Sequence, residues 1–168
     1  DALPIFSGVD KASDHGGDPS PSTAYGVFVS LREAVTYKLK RANLDGLKVA
    51  IQGLGNIGYR LAEHLQKAGV ELYVTDIVQA NVDRAVLELN ATAVAADQIF
   101  ALDVDVFATC ALGAAINDRS IEQLKATIVA GAANNQLATT AHGQMLHDRG
   151  VLYAPDYVVN AGGIIDVY

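Results

Sequence analysis

Short apolar runs alternate with longer amphipathic segments along most of the chain. The apolar runs predict six β-strands, at 47–52, 71–75, 91–94, 104–109, 127–130 and 151–153. Segments with apolar residues every three or four positions predict helices over 21–41, 56–68, 79–90, 96–102, 119–124 and 139–149. Ser20 would cap the first helix and Pro21 would begin it. Val82, Val86 and Leu89 would form the buried face of the third.

This alternation of strands and helices predicts an α/β fold. Strands in such a series pair in parallel through right-handed crossovers, with helices on both faces of the sheet. We expect a doubly wound, mostly parallel six-stranded sheet of the dinucleotide-binding (Rossmann) type, in strand order 3-2-1-4-5-6. Residues 1–20, rich in Asp, Gly, Pro and Ser, predict a leading loop, and 21–168 predict one domain.

The composition indicates a folded, acidic protein and argues against several classes of partner. Apolar residues make up 51% of the 168 positions, which excludes a disordered chain. The net charge of −7 argues against nucleic acid or an anionic membrane as a partner. The single cysteine, Cys110, excludes a disulfide within the chain and favours a reducing compartment, which we take to be the cytoplasm. The N-terminal residues do not resemble a signal peptide. The chain starts without Met and stops at Tyr168 within an apolar run, so we expect a piece of a longer protein.

The strongest motif is Gly53-Leu54-Gly55-Asn56-Ile57-Gly58, between the first predicted strand and a helix. Gly53 allows the tight turn, Gly55 lets a pyrophosphate approach the backbone, and Gly58 lets the helix lie close to the strand. Free N–H groups and the helix dipole would then face the phosphates. Glycines can also simply form a turn, but here a strand, a helix and a later acid accompany them.

That acid is Asp76, at the end of the second predicted strand and 23 residues after Gly53. A carboxylate there accepts hydrogen bonds from both adenosine ribose hydroxyls and repels a 2′-phosphate. The sequence therefore favours NAD over NADP as cofactor.

Small residues and asparagines follow the later strands, at 110–113, 131–135 and 160–163. The carboxyl ends of parallel strands face one crevice, so these clusters should meet there. Small side chains let a nicotinamide ring lie against backbone, and Asn suits its carboxamide or ribose. Shaping of turns is the plainer explanation for each cluster taken singly.

Other chemistry-bearing residues receive structural interpretations. The four histidines lack metal-site spacing, so no metal is expected and locally bonded or solvated rings are favoured. Cys110 has no base beside it in sequence and is expected to be a small buried hydrophobe. Asp103 and Asp105 are interpreted as loop and edge charges.

Several motifs occur together and in order. They are GDPSPSTAYGV at 17–27, GLGNIG at 53–58, CALG at 110–113, IND at 116–118, GAANNQL at 131–137 and APDYVVNAGG at 154–163. This set resembles the cofactor-binding domain of the glutamate/leucine/phenylalanine/valine dehydrogenase family, and it is most similar to the leucine, valine and phenylalanine branch. The resemblance extends over nearly the whole chain from about Gly16.

The resemblance implies oxidative deamination of an L-amino acid to a 2-oxo acid and ammonia, with hydride passed to NAD. It also implies a homo-oligomeric parent. The resemblance assigns Thr23 to the nicotinamide carboxamide, and Gly53, Gly55, Asn56, Ile57 and Gly58 to the phosphate turn. It assigns Asp76 and Ile77 to the ribose and adenine edge. It assigns Ala111, Leu112, Ala132 and Asn134 to the wall around the nicotinamide, and Asn160 to the cleft beside it.

On the substrate side, the resemblance places Asn160 near the amino acid and Ile164 and Val167 at the floor of the side-chain pocket. A glutamate pocket needs a hydroxyl and a cation, whereas Ile164 and Val167 are hydrocarbon. A substrate carboxylate left unpaired there would be costly. An apolar substrate of the leucine, valine or phenylalanine type is therefore favoured, although packing beneath a helix would also explain the pair.

Catalytic residues are not assigned to this chain. The family's catalytic lysines and aspartate lie in a preceding substrate domain, and none of the six lysines here matches that segment. We expect the longer parent to be an enzyme and this piece to bind NAD without turnover.

Three other functions remain open: a glutamate dehydrogenase, a non-catalytic NAD-sensing module and a hydroxy-acid dehydrogenase. A sensing module does not need clefts rich in Asn and Gly. A hydroxy-acid enzyme usually needs a His base at a strand end and an Arg for the carboxylate. Arg119 and Arg149 both fall on predicted helices.

Overall fold

A computed structural model describes residues 20–111 and 113–159. Within these ranges the helices are α1 Ser20–Leu39, α2 Asn56–Lys67, α3 Gln79–Leu89, α4 Asp118–Gln123, α5 Thr140–Asp148 and α6 Asp156–Val159. The strands are β1 Lys48–Gln52, β2 Glu71–Thr75, β3 Thr92–Ala93, β4 Val106–Thr109, β5 Ile128–Val129 and β6 Leu152–Tyr153. The predicted alternation is confirmed.

The six strands form one parallel sheet in the order β3-β2-β1-β4-β5-β6. The predicted strand order and fold class are thus confirmed. Gln52, the last residue of β1, pairs with Thr75 on one side and Thr109 on the other. The central three strands therefore end level with one another, and the loops that follow them meet at one edge.

Each face of the sheet has its own hydrophobic core. Residues of α1, α2 and α3 cover one face and pack on alternate strand positions such as Ile51 and Val74. A 3₁₀ turn at Ile99–Ala101, α4 and α5 cover the other face, where Phe107 is fully buried. The parallel strands are apolar on both faces because helices cover both.

Some boundaries and faces differ from the prediction. The helix predicted over 96–102 is a 3₁₀ turn, Ile99–Ala101, and the third strand is two residues long. Helix α1 includes Ser20 itself. On α3, Val86 is 42% exposed and Ala85 is buried in its place. Ala85 lies three residues after Val82, on the stripe that leads to Leu89, and its small side chain suits close approach to the sheet.

Helix α6 was not predicted, because Pro155 was expected only to end the strand at 151–153. Instead, the Pro155 carbonyl accepts hydrogen bonds from the amides of Val158 and Val159 at 3.0 and 3.1 Å. Proline is tolerated at the start of a helix, where its missing N–H is not needed. No helix in the described part of the chain is long and apolar enough to span a membrane.

Candidate functional site

The turn from β1 into α2 is fixed by glycine. Gly53 has a φ of +96°, and a Cβ on it would lie 2.6 Å from the main-chain nitrogen of Ala111. Its own N–H donates to the carbonyl of Thr75 at 2.8 Å. A side chain at this position would both strain the backbone and collide with the chain that follows β4. The predicted turn and the predicted residue Ala111 are therefore adjacent.

The other two glycines of the motif have opposite surroundings. A Cβ on Gly58 would collide with the carbonyl oxygen of Gly53 and lie 3.1 Å from the Cβ of Cys110. A Cβ on Gly55 would meet no protein atom within 4 Å. Gly58 thus allows α2 to pack closely, whereas the space in front of Gly55 is open to a ligand.

Helix α2 begins at Asn56 without a side-chain hydrogen bond at its N-cap, Gly55. Asn56 is exposed and Ile57 is half-buried. Backbone N–H groups of such a first turn lack intrahelical partners and favour an anion. The backbone N–H groups of this turn could therefore bind a phosphate group without the help of a positively charged side chain.

Asp76 connects the end of β2 to this turn. One carboxylate oxygen accepts the N–H of Leu54 at 2.5 Å, and the other accepts the N–H of Val78 at 2.7 Å. A carboxylate has about four acceptor sites, so each oxygen can accept one further hydrogen bond. The neighbouring Ile77 is fully exposed.

A polar cleft of about 340 Å³ lies on the outer side of the turn, between α2 and α3. Tyr59 and Arg84 line it, and the Arg84 guanidinium lies 3.9 Å from the centre of the Tyr59 ring. The Tyr59 hydroxyl donates to Glu88 at 2.5 Å, and Arg84 pairs with the same carboxylate oxygen at 3.0 Å. Sequence reasoning missed this group, because only the folded helices bring Tyr59 next to Glu88.

The loops after β4 and β5 form the other half of the edge. The amide of Ala133 donates to the carbonyl of Thr109 at 2.9 Å, which joins the two loops. Of the predicted nicotinamide wall, Ala132 is buried, Ala111 is half-buried and Asn134 is exposed. Thr23 is buried on α1.

Some predicted site residues are not described by the structure. Leu112, Asn160, Ile164 and Val167 lie outside the described residues. Their roles at the nicotinamide and at the substrate stay predictions.

Gln136 lies within the GAANNQL motif, but no role was predicted for it. Gln136 is fully buried, and its amide nitrogen donates to the carbonyl of Gly131 at 2.7 Å. Three buried side-chain oxygens have no hydrogen-bond partner in the described structure, namely those of Gln52, Thr109 and Gln136. All three belong to the carboxyl edge of the sheet or to its loops, so the polar groups of the site are concentrated there.

His142 agrees with the interpretation as a locally bonded ring, whereas Cys110 is half-buried and packs against the core rather than within it. Burial raises the pKa of the Cys110 thiol to about 11, so it is protonated at neutral pH and a poor nucleophile. His142 is buried, with Nδ1 accepting the N–H of Thr139 at 3.1 Å and Nε2 3.0 Å from an oxygen of Asp118. Asp105 was more than an edge charge, since it accepts the N–H of Lys48 at 2.8 Å. Among residues 20–111 and 113–159, no cluster of His, Cys, Asp and Glu could hold a metal.

The strand order, the glycine turn and the acid at the end of β2 together define a Rossmann-type domain. The profile of the family Glutamate/Leucine/Phenylalanine/Valine dehydrogenase matches residues 18–77 and 71–168. The chain belongs to this family, which confirms the resemblance.

Individual relatives agree with this assignment. The chain is 48% identical over 167 residues to leucine dehydrogenase from Bacillus subtilis, with 99% of this chain and 46% of the relative covered. It is 50% identical to leucine dehydrogenase from Thermoactinomyces intermedius, with 96% and 44% covered. The crystal structure of L-tryptophan dehydrogenase from Nostoc punctiforme superposes with a TM-score of 0.88 at 48% identity, covering 90% of this chain and 47% of that one. The chain spans about half the length of these relatives.

Proposed function

We propose that residues 21–168 form the NAD-binding domain of an L-amino-acid dehydrogenase that converts an apolar amino acid to a 2-oxo acid and ammonia. The observation that carries the proposal is the contact between the glycine turn and Asp76. That contact sets an acid beside an open helix N-terminus, as a dinucleotide requires. When bound, NAD supplies the hydride acceptor.

The cofactor's phosphates would face Gly55 and the first turn of α2. The open space at Gly55 admits a phosphate close to the backbone. The N–H groups at the start of α2 would donate to it, since no side chain caps them. Asn56 and Ile57 belong to this turn, and Gly53 and Gly58 fix its shape.

Asp76 would accept hydrogen bonds from the adenosine ribose hydroxyls. Its oxygens are already directed by Leu54 and Val78, so the carboxylate is held in place before the ribose arrives. Its negative charge would repel the 2′-phosphate of NADP. Ile77, fully exposed beside it, offers an apolar surface to the adenine.

The nicotinamide would lie between the loops after β4 and β5, against Ala111, Leu112, Ala132 and Asn134, with Thr23 and Asn160 at its polar groups. The small side chains leave room for a flat ring. Ile164 and Val167 would floor a pocket for an apolar side chain. The relatives named for leucine and tryptophan dehydrogenase support an apolar substrate.

The remaining chemistry belongs to the longer parent. We assign no catalytic residue to this chain, because lysines and an aspartate of a preceding substrate domain would hold the amino acid and move protons. The parent would be a cytoplasmic homo-oligomer. This chain alone would bind NAD without turning over an amino acid.

Calorimetric titration of the chain with NAD and NADP tests the proposal. We expect NAD to bind at least about tenfold more tightly than NADP, since a difference of about 1.4 kcal/mol is tenfold. Asp76→Ala should weaken NAD binding by about tenfold or more, because it removes hydrogen bonds to a charged acceptor. The matched control is Asp97→Ala, which removes an exposed carboxylate after β3 and should leave affinity unchanged.

Equal affinity for NAD and NADP would contradict the role of Asp76 in choosing the cofactor. Failure to bind either would contradict the proposed function of the chain. Assays of the full-length parent on leucine, tryptophan and glutamate would then test the substrate class. Faster deamination of glutamate than of leucine would overturn the apolar pocket.

A further inference from the structure

Gln136 closes the loop that follows β5. Its side chain is fully buried, and its Nε2 donates to the carbonyl oxygen of Gly131, five residues earlier, at 2.7 Å. A carbonyl oxygen only accepts, so the amide nitrogen must be the atom that faces it. The side chain thus spans Ala132, Ala133 and Asn134.

The main chain beside this amide ties in a second loop. The carbonyl of Gln136 accepts the N–H of Ile116 at 2.9 Å, and the carbonyl of Asn135 accepts the N–H of Ala114 at 2.7 Å. A Cβ on Gly113 would lie 2.8 Å from the carbonyl oxygens of Asn134 and Asn135. The loops after β4 and β5 are therefore packed against each other at backbone distance.

Two residues in these loops adopt left-handed backbone conformations without being glycine. Ala114 has a φ of +60° and Asn135 a φ of +53°. Such conformations persist only where surrounding contacts impose them. The hydrogen bond between Ala114 and Asn135 is a contact of that kind, and the bond from Gln136 to Gly131 holds the same loop after β5.

Only one end of the Gln136 amide is used. Its Oε1 has no hydrogen-bond partner in the described part of the chain, and neither does the hydroxyl of the fully buried Thr109. Burying an amide with an unsatisfied oxygen is costly. An apolar side chain would fill the same space without this cost, so we attribute the glutamine to its hydrogen bond with the Gly131 carbonyl.

We propose that Gln136 is a positioning residue for the nicotinamide end of the cofactor. By holding the carbonyl of Gly131, it sets the course of Ala132 and Asn134, against which the ring would lie. It does so without touching the ring itself. This inference rests on the proposed function.

The test separates the two ends of the cofactor. NADH carries the nicotinamide, whose fluorescence reports its surroundings, whereas ADP-ribose lacks the ring and uses only the glycine turn and Asp76. In Gln136→Met, we expect NADH affinity to fall about tenfold. The emission change of bound NADH should be lost, while ADP-ribose affinity stays within about twofold. A purely structural role would not separate these ligands.

Gln123→Met, on an exposed position of α4, is the matched control and should leave both ligands unaffected. Gln136→Asn, one methylene shorter, cannot reach Gly131, and it serves as the second variant if Gln136→Met does not fold. We expect it to show the same split between NADH and ADP-ribose.

Three outcomes would overturn the inference: an unchanged NADH signal in both variants, a parallel loss of NADH and ADP-ribose, or an original chain that binds ADP-ribose without any NADH emission change. An original chain that binds neither NADH nor ADP-ribose would instead contradict the proposed function.

Discussion

The helices that follow β1 and β2 begin differently from those that follow β4 and β5. Gly55 and Val78 precede α2 and α3, and neither forms a side-chain hydrogen bond to its helix. By contrast, Asn117 caps α4, with its Oδ1 accepting the amides of Arg119 and Ser120 at 3.1 Å. In α5, the ring of His142 accepts the N–H of Thr139, the N-cap residue, at 3.1 Å.

In the proposed cofactor site, this difference would separate two kinds of surface. An uncapped helix start beside a glycine turn keeps its N–H groups available to an anion. Capped helix starts have their N–H groups satisfied, and they hold loops in shape instead. We call the loops after β1 and β2 the β1–β2 half of the carboxyl edge, and the loops after β4 and β5 the β4–β5 half. The β1–β2 half offers free N–H groups that can bind an anion, whereas the capped helix starts of the β4–β5 half fix the conformation of its loops.

At the carboxyl edge of the sheet, the backbone conformations follow the same division. In the β1–β2 half, the left-handed φ at the turn falls on Gly53, which adopts it without strain. In the β4–β5 half, left-handed conformations fall on Ala114 and Asn135. Asn135 also donates its N–H to Asp156 at 2.5 Å, so distant contacts impose that conformation.

The largest expected effect is on stability, from a methyl group added where backbones meet. In Gly131→Ala, the Cβ would collide with the main-chain nitrogen and oxygen of Thr109. In Gly58→Ala, it would collide with the carbonyl of Gly53. Overpacking of this kind costs about 1–3 kcal/mol, and the upper end applies because backbone cannot move aside. Urea unfolding measures both variants.

Gly143→Ala is the matched control within α5. Its Cβ would meet only a side-chain carbon of Leu137, at 3.3 Å. Alanine is favoured over glycine inside a helix by about 1 kcal/mol, so this variant should be neutral or more stable. If Gly131→Ala were as stable as Gly143→Ala, the close contact between Gly131 and the Thr109 main chain would not limit stability, which would contradict this prediction.

A smaller effect is expected on cofactor affinity when the open helix start is capped. Gly55→Ser adds a Cβ to empty space and a hydroxyl that can accept the amides of α2. We expect stability to rise by a few tenths of a kcal/mol and NAD affinity to fall about tenfold, or about 1.4 kcal/mol. Calorimetry and urea unfolding measure the two quantities separately.

Asn117→Ala is the mirror experiment in the capped half. It should cost about 1 kcal/mol of stability, the usual effect of losing an N-cap, and leave ADP-ribose affinity unchanged. If Gly55→Ser bound NAD as tightly as the original chain, the first turn of α2 would not be the phosphate site. The difference between the two halves would then affect stability but not cofactor binding.

The same contrast explains what could be predicted from sequence. The glycine turn follows from residues close together in sequence, and the strand order follows from the alternation of strands and helices; both were predicted. Asp76 was predicted as a ribose ligand from its spacing, and the structure adds its contact with Leu54. Gln136 was missed because its role depends on loops that meet only in the folded chain.

Helix faces and short elements were harder to predict for a similar reason. Val86 has the right spacing for the buried face of α3, but the sheet decides which edge of that face is covered. The segment 96–102 has apolar residues but forms a single 3₁₀ turn, because the chain must return to β4 within a few residues. Helix α6 begins at Asp156, directly after Pro155, which was predicted only to end the preceding strand.

The smallest expected effect concerns the link between α2 and α3 in the β1–β2 half, and it depends on pH. The hydrogen bond from Tyr59 lowers the pKa of Glu88 below its usual 4.5. Burial, together with the same hydrogen bond, raises the pKa of Tyr59 to about 12. The stabilisation from Glu88 is therefore present above pH 4.5 and lost as the pH falls through its folded-state pKa. That from Tyr59 is present below its usual 10 and lost as the pH rises towards 12.

Tyr59→Phe removes the shared hydrogen bond, so the free energy of unfolding should vary less with pH in both ranges. Urea unfolding across the acid and alkaline ranges measures this. Tyr37→Phe, which removes a hydroxyl from a side chain that is 68% exposed, is the control and should keep the original profile. If Tyr59→Phe also kept it, the pair would contribute nothing to holding α2 against α3. The structure of the β1–β2 half would then be held mainly by the glycine turn and its contact with Asp76.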